Sequence, residues 1–161
     1  MTKRLIILGL AFLFLWCVPI GASEYSANAY LIPDPMRFGE DYVEVKAGAL
    51  TFVLMGGLRP SGDVQDLFTI TLEDDAAKLP ANSKQPKGKL VLWVRFSTAK
   101  SLPKPLRVVL VTADNTSDNV RAYHEEGTPP RFAEINLTRQ PEQKLVTFEI
   151  EKLEPLFFVL P

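Results

Sequence analysis

A dense set of oxygen-bearing side chains runs from Asp114 to Asn119 and is followed by Glu125. Counted from Asp114 as position 1, Thr116, Asp118 and Glu125 take positions 3, 5 and 12, which are ligand positions of a calcium-binding loop. Asn119 stands where such a loop needs glycine, and no helix is expected before it. Runs rich in Asp and Asn also form turns between strands through local hydrogen bonds. We therefore predict a turn, with calcium held by Asp114, Thr116, Asp118 and Glu125 as the alternative and no other cofactor.

Candidates for acid–base or nucleophilic catalysis are few. His124 is the single histidine, and the single cysteine, Cys17, lies in an N-terminal apolar run. One imidazole cannot supply the usual ligands of a zinc site, and a Ser-His-Asp triad would have to use His124 as its base. The carboxylate pairs at 74–75 and 125–126 fall in expected loops, where the carboxyl groups are solvated and lack the burial that shifts the pKa of a catalytic acid. The sequence therefore predicts a protein that is not an enzyme, with His124 in a solvated loop.

Trp93 lies in the apolar run 89–96, which is typical of a strand in the interior of a sheet. Successive strand residues point to opposite faces, so one face is predicted to carry Leu90, Leu92, Val94 and Phe96, and the other Val91, Trp93 and Arg95. A strand that is apolar on both faces is usually covered on both. If the second face is open instead, its aromatic ring can stack on a sugar or peptide. Trp93, Arg95 and Tyr123 are therefore the candidate binding residues.

The N-terminus has the pattern of a secretory signal peptide. Lys3 and Arg4 precede an uncharged apolar run of 16 residues, 5–20, and small residues follow at 21–23. The run is shorter than the roughly 20 residues of a membrane span. We predict a helical signal peptide over 1–22, with an uncleaved anchor or a lipoprotein modified at Cys17 as alternatives. Removal of 1–22 leaves no cysteine, which favours a bacterial envelope, periplasmic or extracellular, over an animal extracellular space.

The remaining chain predicts one all-β domain. Residues 23–36 contain Pro33 and Pro35 and are predicted to be irregular, with a capping first strand or a tether as alternatives. Residues 37–161 are predicted to form an antiparallel β-sandwich of immunoglobulin-like architecture, without the paired cysteines of antibody domains. About eight strands are predicted, at 41–46, 49–55, 67–73, 89–96, 106–113, 131–136, 144–151 and 156–160. The long connections are predicted at 74–88, 97–105 and 114–130.

Composition limits the function classes. The chain has 161 residues, and its net charge of −1 argues against the basic face of a nucleic-acid-binding protein. We expect an exported, non-catalytic module of the bacterial cell envelope that binds a protein or glycan partner, with no membrane span once the leader is removed. The alternative is an assembly subunit whose strands pair with other subunits, and the third hypothesis is a small hydrolase. The apolar run 156–160 is predicted to close its own sheet rather than to be lent to a partner.

Overall fold

The computed structural model describes residues 25–31, 42–56, 58–59, 66–81 and 83–161. The predicted signal peptide, 1–22, lies outside them. The described strands are β1 (Tyr25–Leu31), β2 (Tyr42–Ala47), β3 (Leu50–Met55), β4 (Leu58–Arg59), β5 (Asp66–Glu73), β6 (Lys89–Phe96), β7 (Ser101–Thr112), β8 (Arg121–Glu126), β9 (Arg131–Ile135), β10 (Thr138–Gln140), β11 (Leu145–Lys152) and β12 (Leu156–Leu160). Short helical turns lie at Ala76–Lys78, at Thr116–Asn119 (α1) and at Pro141–Gln143.

The strands form two antiparallel sheets. The larger has the order β4-β1-β5-β6-β12-β8-β9, and the smaller has the order β10-β11-β7-β3-β2. Both sheets bury side chains in one shared core, including Phe52 and Val108 from the smaller sheet and Phe68 and Leu92 from the larger. The all-β prediction is therefore confirmed, and the two sheets pack in a sandwich-like arrangement around one core. Among the described residues, no helix is long and apolar enough to cross a membrane.

Strands with strict alternation were predicted with the correct faces. Along β2, every second residue is buried. On β5, Phe68, Ile70 and Leu72 are buried in the shared core. On β11, Val146 and Phe148 face that core as well. Each of these strands places its apolar face inward, because this burial is the main favourable contribution to folding.

β6 departs from the predicted alternation at Val91. Phe158 of β12 pairs with Leu92, whereas the next residue, Val159, pairs with Leu90, so Val91 is an extra residue in a β-bulge. Leu92 packs in the shared core, but Leu90 is buried on the opposite side of the sheet. The predicted face of four residues is therefore wrong at Leu90, because a bulge shifts the alternation by one residue.

β12 lies inside its own sheet. It pairs antiparallel with β6 on one side and with β8 on the other. Its first four residues are buried, including Phe157 and Phe158, which point to opposite faces of the sheet. The prediction that the run 156–160 closes the protein's own sheet is confirmed.

Two predicted loops contain strands. Within 97–105, residues 101–105 belong to β7, where pairing with β11 is irregular between Ile150 and Lys152. β3 pairs with β7 only from Arg107 onward. The proline-containing half of β7 therefore lies where a regular ladder on both sides is not required.

The predicted loop 114–130 contains α1 and β8. β8 was not predicted from the sequence, because half of its side chains are charged and Ala122 is its one fully buried side chain. Residues 25–31 of the segment predicted to be irregular form β1. A first strand was one of the two alternatives given for this segment. β4 and β10, of two and three residues, were not predicted.

Candidate binding site

A second apolar cluster lies on the face of the larger sheet that points away from the shared core. This outer cluster consists of Leu90, Trp93, Phe157 and Val159, with Leu79, Tyr123 and Phe132 packed against it. Trp93 is 7% exposed. Its ring stacks on Phe157 with centroids 5.7 Å apart, and Phe132 meets Phe157 edge to face at 5.3 Å. These are favourable aromatic geometries, so the cluster holds its rings in fixed orientations.

The outer cluster belongs to a row of residues that crosses five strands. Each residue of the row pairs with the next across neighbouring strands, in the order Glu73, Trp93, Phe157, Tyr123 and Glu134. Directly paired residues share a face, so this cross-strand row lies on the outer side of the sheet. The row links two of the candidate binding residues, Trp93 and Tyr123, which are far apart in sequence.

Arg95, the third candidate, contacts Trp93 directly. Its Cζ lies 4.5 Å from the centroid of the indole ring, a cation–π arrangement. Trp93 Nε1 and Arg95 Nε are buried and have no hydrogen-bond partner among the described residues. The indole therefore packs beneath the surface of the outer face, whereas Arg95 is only half-buried.

Glu73 anchors the turn that covers one end of the cross-strand row. It faces outward, as predicted, but is only 5% exposed. Its carboxylate accepts a hydrogen bond from the backbone N–H of Asp75 at 3.0 Å and pairs with Lys78 Nζ at 3.3 Å. A buried carboxylate needs such partners to offset its lost hydration. The turn that they hold also places Leu79 against the outer cluster.

The other end of the outer cluster opens into a cavity of about 550 Å³, which we name the aromatic groove. Its lining consists of Gln85, Pro86, Lys87, Gly88, Arg121, Tyr123, Phe132 and Pro161. Tyr123 and Phe132 are half-buried and contact both the outer cluster and the groove. The charged residues of the lining, Lys87 and Arg121, are both cations. The groove therefore combines fixed aromatic rings with positive charge.

The guanidinium of Arg121 is held beside Tyr123. A side-chain hydrogen bond with Tyr123 raises the pKa of Arg121 above its usual value, and the negative charge of Glu134 adds to the effect. Arg121 Nε lies 3.8 Å from Glu134 Oε1. Arg121 is a cation at the edge of the groove, beside Tyr123 and Glu134.

Gly88 forms part of the groove wall where β6 begins. Its φ of +127° is a backbone conformation that L side chains rarely adopt, and a Cβ added there would collide with the backbone oxygen of Leu160. Glycine is therefore required for the close approach of the start of β6 to the end of β12.

A second cavity, of about 340 Å³, surrounds His124, and we name it the acidic cleft. Its lining consists of His124, Glu134, Ile135, Glu149, Ile150, Glu151, Lys152, Glu154 and Leu156. His124 Nδ1 lies 3.2 Å from Glu154 Oε2. The predicted loop position of His124 is wrong, because the residue is half-buried on β8. None of the described lining residues carries a hydroxyl or thiol nucleophile within reach of this imidazole.

The calcium candidates lie on three different elements. Asp114 precedes α1 and accepts a hydrogen bond from the backbone N–H of Thr116 at 2.9 Å through Oδ1. Thr116 and Asp118 belong to α1, and Glu125 belongs to β8, opposite Phe132 of β9. Within the part of the chain that the structure describes, no three His, Cys, Asp or Glu side chains are arranged to hold a metal ion. The Asp114 contacts are those of the turn that the composition favours.

The groove residues Gln85, Lys87, Arg121 and Phe132 were not among the sequence candidates. The alternation of Arg121 and Tyr123 with Ala122 was an available signal, but the acidic residues after it concealed the strand. Comparison with known proteins gave no match to a family model, to a curated protein or to a solved structure.

Proposed function

We propose that this protein is an exported, non-catalytic β-sandwich module of the bacterial cell envelope, of immunoglobulin-like architecture, that binds a partner through the aromatic groove. The observation that carries the proposal is the double contact of Tyr123 and Phe132, which pack on the outer cluster and line the groove. Aromatic side chains fixed by packing bind partners at a low entropic cost. Trp93 and Arg95 serve this surface by positioning the rings that contact the partner.

Export is supported by the sequence of the leader. Lys3 and Arg4, the apolar run 5–20 and the small residues at 21–23 fit a cleaved signal peptide. We expect mass spectrometry of the exported protein to give an N-terminus near Ser23. Material that retains residues 1–22 would indicate an anchor instead.

Cosedimentation of the exported protein with isolated cell envelopes tests the binding function. We expect saturable binding that weakens about tenfold in Tyr123→Ala, because an aromatic contact contributes up to about 1.5 kcal/mol beyond its buried area. Tyr42 is a matched control, since it is a 53% exposed tyrosine on β2 of the other sheet. Tyr42→Ala should bind as the wild type does. A folded Tyr123→Ala variant with unchanged binding would contradict the proposal.

Strand pairing between subunits is the first alternative function. β2 and β9 lie at sheet ends and carry charged residues, such as Lys46 on β2 and Arg131 on β9. Charges on edge strands oppose pairing with another chain. The binding module is expected to be monomeric at high concentration in sedimentation velocity, whereas a concentration-dependent oligomer would favour the assembly subunit.

A small hydrolase is the second alternative, and its base would have to be His124. The acidic cleft provides Glu154 as a partner for the imidazole, but its described lining provides no hydroxyl or thiol side chain for a triad. We expect His124→Ala to leave envelope binding unchanged. Loss of a measurable hydrolysis in that variant would favour the hydrolase.

A further inference from the structure

The charge of the aromatic groove is opposite to the charge of the protein as a whole. The chain has a net charge of −1, yet the charged side chains of the described groove lining are Lys87 and Arg121, with no acidic side chain among them. We propose that the aromatic groove binds an anionic polysaccharide, whose sugar rings stack on Tyr123 and Phe132 and whose carboxylates pair with Lys87 and Arg121. This inference rests on the binding function proposed above and names the class of its ligand.

The ring faces and the polar groups of the groove suit a carbohydrate. A sugar presents an apolar face of C–H groups, which packs on an aromatic ring, and hydroxyl groups, which need hydrogen-bonding partners. Tyr123 and Phe132 provide the rings, and Gln85 adds an amide that donates and accepts hydrogen bonds. The cavity of about 550 Å³ has the size of known ligand sites, which span roughly 300–1,000 Å³.

The two cations select for carboxylates on the sugar. Arg121 carries a planar guanidinium that matches a carboxylate through two parallel hydrogen bonds, and it lies beside the ring of Tyr123 in the groove lining. Lys87, on the connection before β6, adds a point charge. Glu134 does not line the groove, but at 3.8 Å from Arg121 Nε it offsets part of the positive charge there.

The position of the groove argues against an acidic peptide as the ligand. Peptides that bind to sheets usually extend them through main-chain hydrogen bonds at an unpaired edge. Arg121 and Tyr123 belong to β8, an internal strand that pairs with β12 on one side and with β9 on the other. Phe132 lies on the edge strand β9, but its ring packs edge to face on Phe157 and lines the groove. Recognition by these three residues therefore falls to their side chains.

Calorimetric titration of the exported protein tests the inference with three probes: galacturonic acid oligomers, neutral glucose oligomers of the same length, and poly-L-glutamate of the same charge. We expect the galacturonic acid oligomers to bind at least tenfold more tightly than the other two. Their affinity should fall as salt rises from 50 to 300 mM, about as expected for partly exposed ion pairs. Lys87→Gln and Arg121→Gln should each weaken binding roughly fivefold. Lys46→Gln, which removes an exposed cation from β2 of the other sheet, is the matched control and should change nothing.

Three outcomes would overturn the inference. Equal, salt-independent affinity for the neutral oligomers would show that charge does not select the ligand. Binding of poly-L-glutamate as tight as that of the galacturonic acid oligomers, unchanged in Tyr123→Phe and Tyr123→Ala, would show plain charge attraction without stacking. If no probe binds but envelope cosedimentation still depends on Tyr123, the ligand class is wrong and the binding function stands. If that dependence is also lost, both proposals fail.

Discussion

Trp93 and Phe157 stack on the outer face of the larger sheet, with ring centroids 5.7 Å apart and ring planes 19° apart. They are direct partners on β6 and β12, and the same cross-strand row continues to Tyr123 at the aromatic groove. The stack therefore connects the buried part of the outer face to the surface that we assign to binding.

The environment of Trp93 has a spectroscopic consequence. Because its side chain is 7% exposed, its fluorescence should be shifted to shorter wavelength than free tryptophan and should resist quenching by iodide. Trp16 is the other tryptophan of the chain, so a Trp16→Phe variant isolates the signal in material that retains its leader. Emission like that of free tryptophan would mean that the outer cluster is open.

Phe148 and Phe96 should differ in their contribution to stability. Phe148 is 6% exposed and packs against Phe158, with ring centroids 5.9 Å apart. We expect Phe148→Ala to lower the free energy of unfolding by about 3–5 kcal/mol, as aromatic truncation in a core does. Phe96 is only half-buried, at 6.1 Å from Phe68, so Phe96→Ala should cost roughly 1–2 kcal/mol. Urea denaturation measures both, and equal small losses would contradict the assignment of the core face.

Arg139 joins β10 of the smaller sheet to the turn that enters β8 of the larger sheet. Its Nη1 donates to Ser117 O at 2.8 Å, and its Nη2 donates to Val120 O at 2.7 Å. Arg139→Ala should lower stability by about 1.5–3 kcal/mol, the range for hydrogen bonds to charged groups. Arg139→Lys should recover only part of this loss, because an ammonium group cannot reproduce the two hydrogen bonds that the planar guanidinium donates. Full recovery by lysine in urea denaturation would show that charge alone matters.

The turn at Asp114 makes stability depend on pH at acidic values. Hydrogen bonds from Thr116 lower the pKa of Asp114 below its usual value. A carboxyl group with a lowered folded-state pKa stabilises the protein above its unfolded-state value, and this contribution is lost as the pH falls through the folded-state value. Asp114→Ala should therefore melt at a lower temperature than the wild type at pH 7, with a smaller difference near pH 2. Asp114→Asn keeps the acceptor oxygen but does not titrate, so the contribution of its turn to stability should not depend on pH. A difference for Asp114→Ala that is constant across this range would contradict the account.

Deletion of residues 156–161 removes β12 from the middle of the larger sheet. The deletion exposes β6 and β8 along their full paired length and empties the positions of Phe157 and Phe158. We expect an unfolded or insoluble product, whereas deletion of Pro161 alone should leave a cooperative melting transition. A soluble, cooperatively melting protein without residues 156–161 would show that β12 is dispensable for the core.

The sequence predicted the fold where side-chain burial alternates in register with the strand. β2, β5 and β11 have this property, and β12 is apolar throughout, so each was placed correctly. β8 was missed because its outward side chains are charged and only Ala122 is fully buried. β7 was shortened because its prolines indicate a loop, although irregular pairing accommodates them.

The candidate site was predictable only in part. Trp93 and Tyr123 were identified as aromatic residues, but the pairing of both with Phe157 depends on a strand order that local sequence does not encode. Leu90 points to the outer face because of the bulge at Val91, and the alternation of residue types in the sequence does not indicate that bulge. The burial of Glu73 depends on the turn at 76–78, which covers a face that appears solvent-exposed in the strand pattern.

The position of β12 between β6 and β8 also fixes the order in which the larger sheet can be completed. A ribosome makes residues 89–96 and 121–126 well before 156–160, yet no described strand pairs with both of them except β12. Contacts between distant parts of a chain form slowly. The two parts of the larger sheet, β4-β1-β5-β6 and β8-β9, can therefore join only after residue 160 has been made.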